Sequence, residues 1–175
     1  KMDGFGLCKG LPSYNEEKSM LIALVESVLS ATKNMDSEII IGDDGSKSKV
    51  ADMVSDLDKS KLKKIKILTL PHRGKRETQK SCIETSTGDI IVTMDSDILI
   101  QKDAIYELVK PFNNKDIGAV TSNVKILNES DNWLTKATAT LYWNALNVAK
   151  KSLSSFGVVN VCSGALSAYR KDIII

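Results

Sequence analysis

The chain has 175 residues, 42% of them hydrophobic, which is enough for a sizeable buried core within the usual span of one domain. Its 24 basic residues nearly balance 22 acidic ones and only 5% of residues are aromatic, which argues against a nucleic-acid surface of basic grooves and stacking platforms. Three cysteines without CxxC spacing (Cys8, Cys82 and Cys162) and one histidine, His72, provide no zinc set and fit a reducing compartment. No apolar run approaches the ~18 residues that span a bilayer. The N-terminus lacks the order of a signal peptide, so the segment reads as soluble. The apolar end at Asp172 to Ile175 suggests a piece cut from something longer.

In chain order, Phe5 to Leu11 reads as a first strand stopped by Pro12-Ser13. Ser13 and Glu16 then have the spacing of a capping box. Leu21, Leu24, Val25, Val28 and Leu29 recur at helical spacing, which predicts a helix from about Glu16 to Thr32. Glu38 to Gly42 is a second strand, Asp43-Asp44-Gly45-Ser46 a turn, and Lys49 to Leu57 a short helix. A lysine-rich connection leads to a third strand at Ile65 to Leu70, which Pro71 stops. The basic loop from Pro71 to Arg76 precedes a helix over Glu77 to Ser86.

A strand at Ile90 to Met94 follows and ends in Asp95-Ser96-Asp97, and then a helix runs from about Lys102 to Lys110. Gly118 to Ile126 reads as another strand, Trp133 to Lys151 as a long helix, Val158 to Val161 as a strand, and Cys162-Ser163-Gly164 as a turn. Strands alternating with helices predict an α/β fold: a mainly parallel, Rossmann-like sheet with helices on both faces.

In such sheets ligands bind beyond the carboxyl ends of the strands. Pro12 to Glu16, Asp43-Asp44, the His72 to Arg76 loop, and Asp95 to Asp97 all fall there. Asp95 and Asp97, two residues apart, would project from one side of an extended segment. Two carboxylates so placed repel unless a cation lies between them, and hard oxygen ligands suit Mg2+ or Mn2+. An ordinary turn is the competing reading of the same three residues.

The whole rim suits a nucleoside diphosphate with its metal. Asp97 can ligate the metal, and Asp95 can hold the ribose or share the metal. Asp44 can accept from a base N–H, Tyr14 can stack on a pyrimidine, and Lys75 can donate to a base carbonyl or a phosphate. No phosphate loop, dinucleotide fingerprint or calcium loop is present. Cys162 reads as a small buried hydrophobe before a functional thiol, and His72 as a loop surface residue before a base.

The series PSYNEE, IIIGDDGSKS, RGKRET, GDIIVTMDSD, GAVTSNVKILNESDNW, LYWNALNVAKKS and CSGALSAYRKDI resembles the catalytic core of family 2 inverting glycosyltransferases of GT-A fold. Among these it is most similar to processive synthases of the hyaluronan type, then of the chitin type. The resemblance implies a single nucleotide-sugar-binding domain over residues 1–175 and a uridine pocket of Tyr14, Glu16, Asp44 and Lys75. It further implies Asp95 at the ribose or metal, Asp97 on Mg2+ or Mn2+, and Cys162, Ser163 and Gly164 beside the acceptor sugar.

A UDP-sugar donor and a growing saccharide would be the partners, at the cytoplasmic face of a membrane reached through segments outside this chain. The family's general base and its glutamine- and tryptophan-containing motif are expected beyond Ile175. The chain also departs from the hyaluronan type at Ala165, where a proline usually follows the glycine. A glycosyltransferase acting on capsular or lipid-linked saccharides and a non-catalytic nucleotide-sugar-binding module are the alternatives.

Overall fold

The computed structural model describes residues 7–158, 161, 162 and 164–174, and only the backbone of residues 7 and 8. Strand β1 (Leu7–Ser13) leads through helix α1 (Lys18–Ala31) to β2 (Ser37–Asp43). Short helices α2 (Val50–Val54) and α3 (Lys59–Leu62) precede β3 (Ile65–Thr69), and α4 (Lys75–Thr85) precedes β4 (Ile90–Met94). Then come α5 (Ala104–Val109) with a 3-10 turn, and β5 (Ala119–Thr121). Helix α6 (Trp133–Trp143) continues through a π-helical stretch (Asn144–Lys150) into α7 (Lys151–Ser155). Strand β6 (Leu166–Arg170) and helix α8 (Lys171–Ile174) complete the described elements.

The six strands form one sheet in the order β3-β2-β1-β4-β6-β5. The first four are parallel, β6 runs antiparallel to β4, and β5 runs antiparallel to β6. Ile39 and Ile41 of β2 join the main core with Leu21, Leu24, Val25 and Val28 of α1 and with Val50 of α2. The intervening Ile40 packs with Cys82 of α4 on the opposite face. Alternate residues of one strand are thus buried on both faces, which is why the sequence there is continuously apolar. The mostly parallel sheet with helices on both faces is the architecture predicted above.

Pro12 does not end β1. It pairs with Gly42, and the strand continues to Ser13 opposite Asp43. The Ser13 carbonyl accepts from Asp44 N, so the alternate residue Pro12 turns its nitrogen to the other side, where the β4 ladder has already stopped at Gly10. A missing N–H costs nothing at that position. The capping box is also absent. α1 starts after Glu17 without a side-chain cap, and Ser13 is still in the strand.

β5 is shorter than predicted because its partner β6 begins pairing only at Ser167 opposite Thr121. Val158 and Val161 lie outside any strand, and the rest of that expected strand is outside the described residues. β6 itself was not foreseen. The helical run from Trp133 to Ser155 matches the expected long helix, and none of its residues is buried.

α4 lies hard against the sheet. A Cβ on Gly42 would come within 2.5 Å of Thr78 Cγ2 and 2.8 Å of Cys82 Sγ. Burial pushes the Cys82 thiol up to about 11, despite hydrogen bonds with the Leu11 and Gly42 backbone, so it packs as a neutral hydrophobe. Replacing Gly42 by Ala should therefore overpack this seam and destabilise the chain by about 1–3 kcal/mol, read as a lower urea midpoint. An unchanged midpoint would show that the seam has slack.

Candidate functional site

The strand order places β1 between β2 and β4, so the chain leaves β1 toward one edge and later returns on its other side. Between β1 and β4 lies the topological switch point, where the loops at the carboxyl ends diverge and leave a crevice. Because β6 is antiparallel to β4, the turn that precedes it arrives at the same end, and Asp95 N donates to the Ala165 carbonyl at 3.1 Å.

These loops are tied to one another. Asn15 adopts a left-handed backbone (φ 53°). Its N–H donates to Ser46 Oγ at 3.0 Å, and its Oδ1 accepts from Lys47 N at 2.9 Å. Asp43, buried at the end of β2, accepts from Ser46 N and Val50 N and so holds the turn and the start of α2. Gly45 has φ 76°, and a Cβ there would meet His72 N at 2.9 Å. Only glycine fits that approach.

Asp44 is the centre of the next tie. Its buried carboxylate accepts from Arg73 N at 2.9 Å and from Gly74 N at 3.0 Å, and His72 Nδ1 lies 2.9 Å from Oδ2. Burial by itself would raise the pKa of Asp44. The backbone N–H groups, a nearby Thr78 hydroxyl outside formal hydrogen-bond geometry, and His72 together outweigh it and hold the carboxyl below its ordinary 3.8. Since both atoms facing His72 Nδ1 are acceptors, the Asp44 carboxylate and its own carbonyl at 3.1 Å, that nitrogen carries the proton.

The His72 ring stacks on Tyr14, with centroids 4.3 Å apart and planes at 24°. Tyr14 remains 46% exposed. Lys75, the first residue of α4, reaches across to Asp95 Oδ1 at 2.6 Å. Ser96 donates to Glu16 Oε1 at 2.6 Å, which closes the circuit back to the loop after β1. β4 ends at Met94, so Asp95-Ser96-Asp97 is a turn beyond the strand rather than its extended continuation. Asp97 is exposed and accepts no hydrogen bond among the described residues.

On the opposite wall, a Cβ added to Gly164 would sit 3.9 Å from both Asp95 oxygens. Cys162 lies near Tyr169, whose hydroxyl is pushed above its usual range mainly by burial and further by Cys162. Ser163 lies outside the described residues. Tyr14, Glu16, Asp44, Asp95, Asp97, Cys162 and Gly164 therefore lie on loops at one end of the sheet, with Lys75 at the start of α4 beside them. Ser96 joins them without having been singled out, and so does His72, which is exposed as a loop surface residue was expected to be. The signal available for both was position, since His72 lies three residues past β3 and Ser96 two past β4, each beside charged residues.

Among the described residues no three acids, histidines or cysteines converge as a self-sufficient metal site. The donor chemistry nevertheless fits Mg2+ or Mn2+, because such ions commonly take one or two carboxylates and complete their shell with substrate phosphates and water. Asp95 and Asp97 would supply those carboxylates.

Asp44 gives a test of the loop ties. Asp44→Asn puts an amide NH2 among N–H donors, and should cost about 2–3 kcal/mol near neutral pH in urea denaturation. A depressed folded-state pKa gives stability that is full above the unfolded value of 3.8 and is lost as pH falls through the lower folded value. The gap between variant and parent should accordingly narrow below pH 3.8. A gap constant with pH would exclude the carboxylate's charge as the cause.

The comparisons with known proteins agree with this geometry. The sequence pattern described as "Glycosyl transferase family 2" matches residues 10–175. A hyaluronan synthase of Streptococcus pyogenes is 36% identical over 172 residues, covering 94% of this chain and 40% of that protein. An N-acetylglucosaminyltransferase of Rhizobium meliloti is 31% identical over 163 residues, covering 93% and 38%. The chain thus spans about 40% of the length of the curated relatives it matches.

Among solved structures, the mannosyltransferase PcManGT of Pyrobaculum calidifontis, in complex with GDP-Man and Mn2+, superposes with a TM-score of 0.75 at 19% identity, covering 99% of this chain and 46% of that one. Glucosyl-3-phosphoglycerate synthase of Mycobacterium tuberculosis, in complex with Mn2+, UDP and glucosyl-3-phosphoglycerate, gives 0.62 at 20% identity, covering 97% and 58%. The chain belongs to glycosyl transferase family 2, and its sheet is of that family's GT-A type.

Proposed function

We propose that the rim binds a UDP-sugar with Mg2+ or Mn2+, and that the longer polypeptide transfers the sugar with inversion to a growing β-linked polysaccharide of hyaluronan type. UDP-GlcNAc, UDP-GlcA or both would be the donors. The observation that carries the reading is the circuit of loop contacts around the switch point, which gathers an open aromatic ring, a lysine and two carboxylates within one crevice. The 36% identity to a hyaluronan synthase supports the finer assignment, and the 31% identity to an N-acetylglucosaminyltransferase supports a chitin-like product as the second reading.

On this reading Tyr14 offers its uncovered face to the uracil. Glu16 and Asp44 shape the nucleoside pocket, and Asp95 contacts the ribose or shares the metal with Asp97. When bound, the cation would neutralise the diphosphate and stabilise it as a leaving group. Lys75 lies beside Asp95 and can add charge to the phosphates once that carboxylate is otherwise engaged. Gly164 leaves room next to Asp95, and Cys162, Ser163 and Gly164 form the acceptor side. Attachment to a membrane would come from segments outside this chain. Among the described residues no helix is long and apolar enough to cross a membrane.

Calorimetric titration with UDP should show binding that strengthens in Mn2+. Equal affinity with and without the ion, or no binding, would overturn the assignment. Asp97→Ala should lose most of the metal-dependent part, at least about tenfold in affinity or 1.4 kcal/mol, while its urea midpoint stays unchanged because the side chain is exposed. GDP in the same titration separates a uridine pocket from a general nucleotide pocket; tighter binding of GDP than of UDP would sink the uridine reading.

A further inference from the structure

His72 lies outside the residues assigned above, yet its side chain touches both Tyr14 and Asp44. Its side chain is 56% exposed, as a loop surface residue would be, yet its Nδ1 edge is held. Nδ1–H is held by the Asp44 carboxylate at 2.9 Å and by the Asp44 carbonyl at 3.1 Å. The peptide groups that follow it are pinned to the same carboxylate through Arg73 N and Gly74 N. Beneath it, the Gly45 backbone approaches His72 N so closely that a Cβ would stand 2.9 Å away. Upstream, Leu70 N donates to the Asp43 carbonyl at 2.8 Å, which ties the end of β3 to the end of β2. The imidazole therefore has a fixed position and a fixed tautomer.

Tyr14 rests on that fixed ring. A centroid separation of 4.3 Å leaves no slot between the two planes, since a third ring would need them about 7 Å apart, twice the carbon contact distance. A base cannot enter between them, so a base that stacks on Tyr14 must use its other face; the residue as a whole is 46% exposed. Among the described residues Tyr14 has no other stacking partner. It follows Ser13 at the very end of β1 and precedes Asn15, whose backbone is left-handed, so its backbone alone does not fix its ring.

We propose that His72 is a positioning residue for donor recognition: a pillar, anchored on Asp44, that holds the Tyr14 ring so that its open face is preformed for the nucleobase. This rests on the donor-site reading given above. Its energetic source is preorganisation, because a ring already held loses less freedom when a base stacks on it. The effect must act through Tyr14 and must be felt by the base rather than by the phosphates.

The test uses the whole 175-residue chain, with UDP and inorganic pyrophosphate as probes, both with Mn2+, and with competition titration for the weak binders. His72→Ala should weaken UDP about three- to tenfold, the range expected for one aromatic stacking contact, and leave pyrophosphate within about twofold of the parent. His72→Phe keeps the stack without the hydrogen bond, and should recover at least half of the lost UDP affinity on a logarithmic scale. In a Tyr14→Ala background, adding His72→Ala should change UDP affinity by less than about twofold, since the pillar then has nothing to hold.

UDP affinity unchanged in His72→Ala would overturn the proposal, and so would equal losses for both probes or full additivity with Tyr14→Ala. If the parent chain binds no UDP, the donor-site reading itself fails, and that result is seen before any His72 variant is made. Should His72→Ala be unstable, the Phe variant decides: it must retain UDP binding if stacking is the operative contact.

Discussion

A carboxylate buried at the end of a strand has to find donors or stay protonated, and at Asp44 this requirement organises the rim. The donors it finds are two consecutive backbone N–H groups, Arg73 and Gly74, and the His72 imidazole, all in the connection from β3 to α4. That connection is thereby drawn over the end of β2. α4 consequently starts at Lys75, earlier than its sequence predicts, and the lysine is delivered to Asp95. The preference for charge at one buried position thus fixes a loop, a helix start and an ion pair with the turn after β4. Glycines at the two tightest points, Gly42 beneath α4 and Gly45 beneath His72, let the backbones approach closely enough for this to happen.

The switch in strand order and the one reversed strand do complementary things. Parallel strands β1 to β4 send their outgoing loops to one end of the sheet. Left alone, every residue there would come from the first 100 or so positions, since a right-handed parallel unit carries its next strand start to the opposite end. β6 runs the other way, so its incoming turn reaches the same crevice and sets Gly164 near Asp95. On the proposed reading, donor and acceptor walls are encoded in separate parts of the chain and still meet at one carboxylate.

How much of this could be read beforehand depended on whether the deciding contact was local. The parallel core was legible because Ile39 to Ile41 and Ile90 to Val92 are buried on both faces, and continuous apolar runs carry that information directly. The convergence of Tyr14, Asp44, Lys75 and Asp95 followed from topology once the strands were placed. What escaped was set by neighbours far along the chain. Pro12 stays in a strand because β4 stops short of it. Glu16 abandons the helix start because Ser96 offers a partner. β6 emerges only as a mate for β4, and His72 is held by groups from two other loops. Local propensity is silent on each of these.

The rim is also uneven in stiffness, in a way that suits the proposed chemistry. Asp43 and Asp44 are buried and fully engaged, so the loops after β2 and β3 behave as part of the core. Lys75 and Asp95, with 59% and 27% of their side chains exposed, form a pair of the kind that contributes under about 1 kcal/mol, and Asp97 is held by nothing described. A nucleoside would meet a surface already in place, whereas the groups facing the diphosphate can change partners at little cost. Stiffness where shape is to be recognised, and easy exchange where charge must be rearranged, follow from burial: a carboxylate with its donors is fixed at Asp44 and labile at Asp95 because water reaches the second far more than the first.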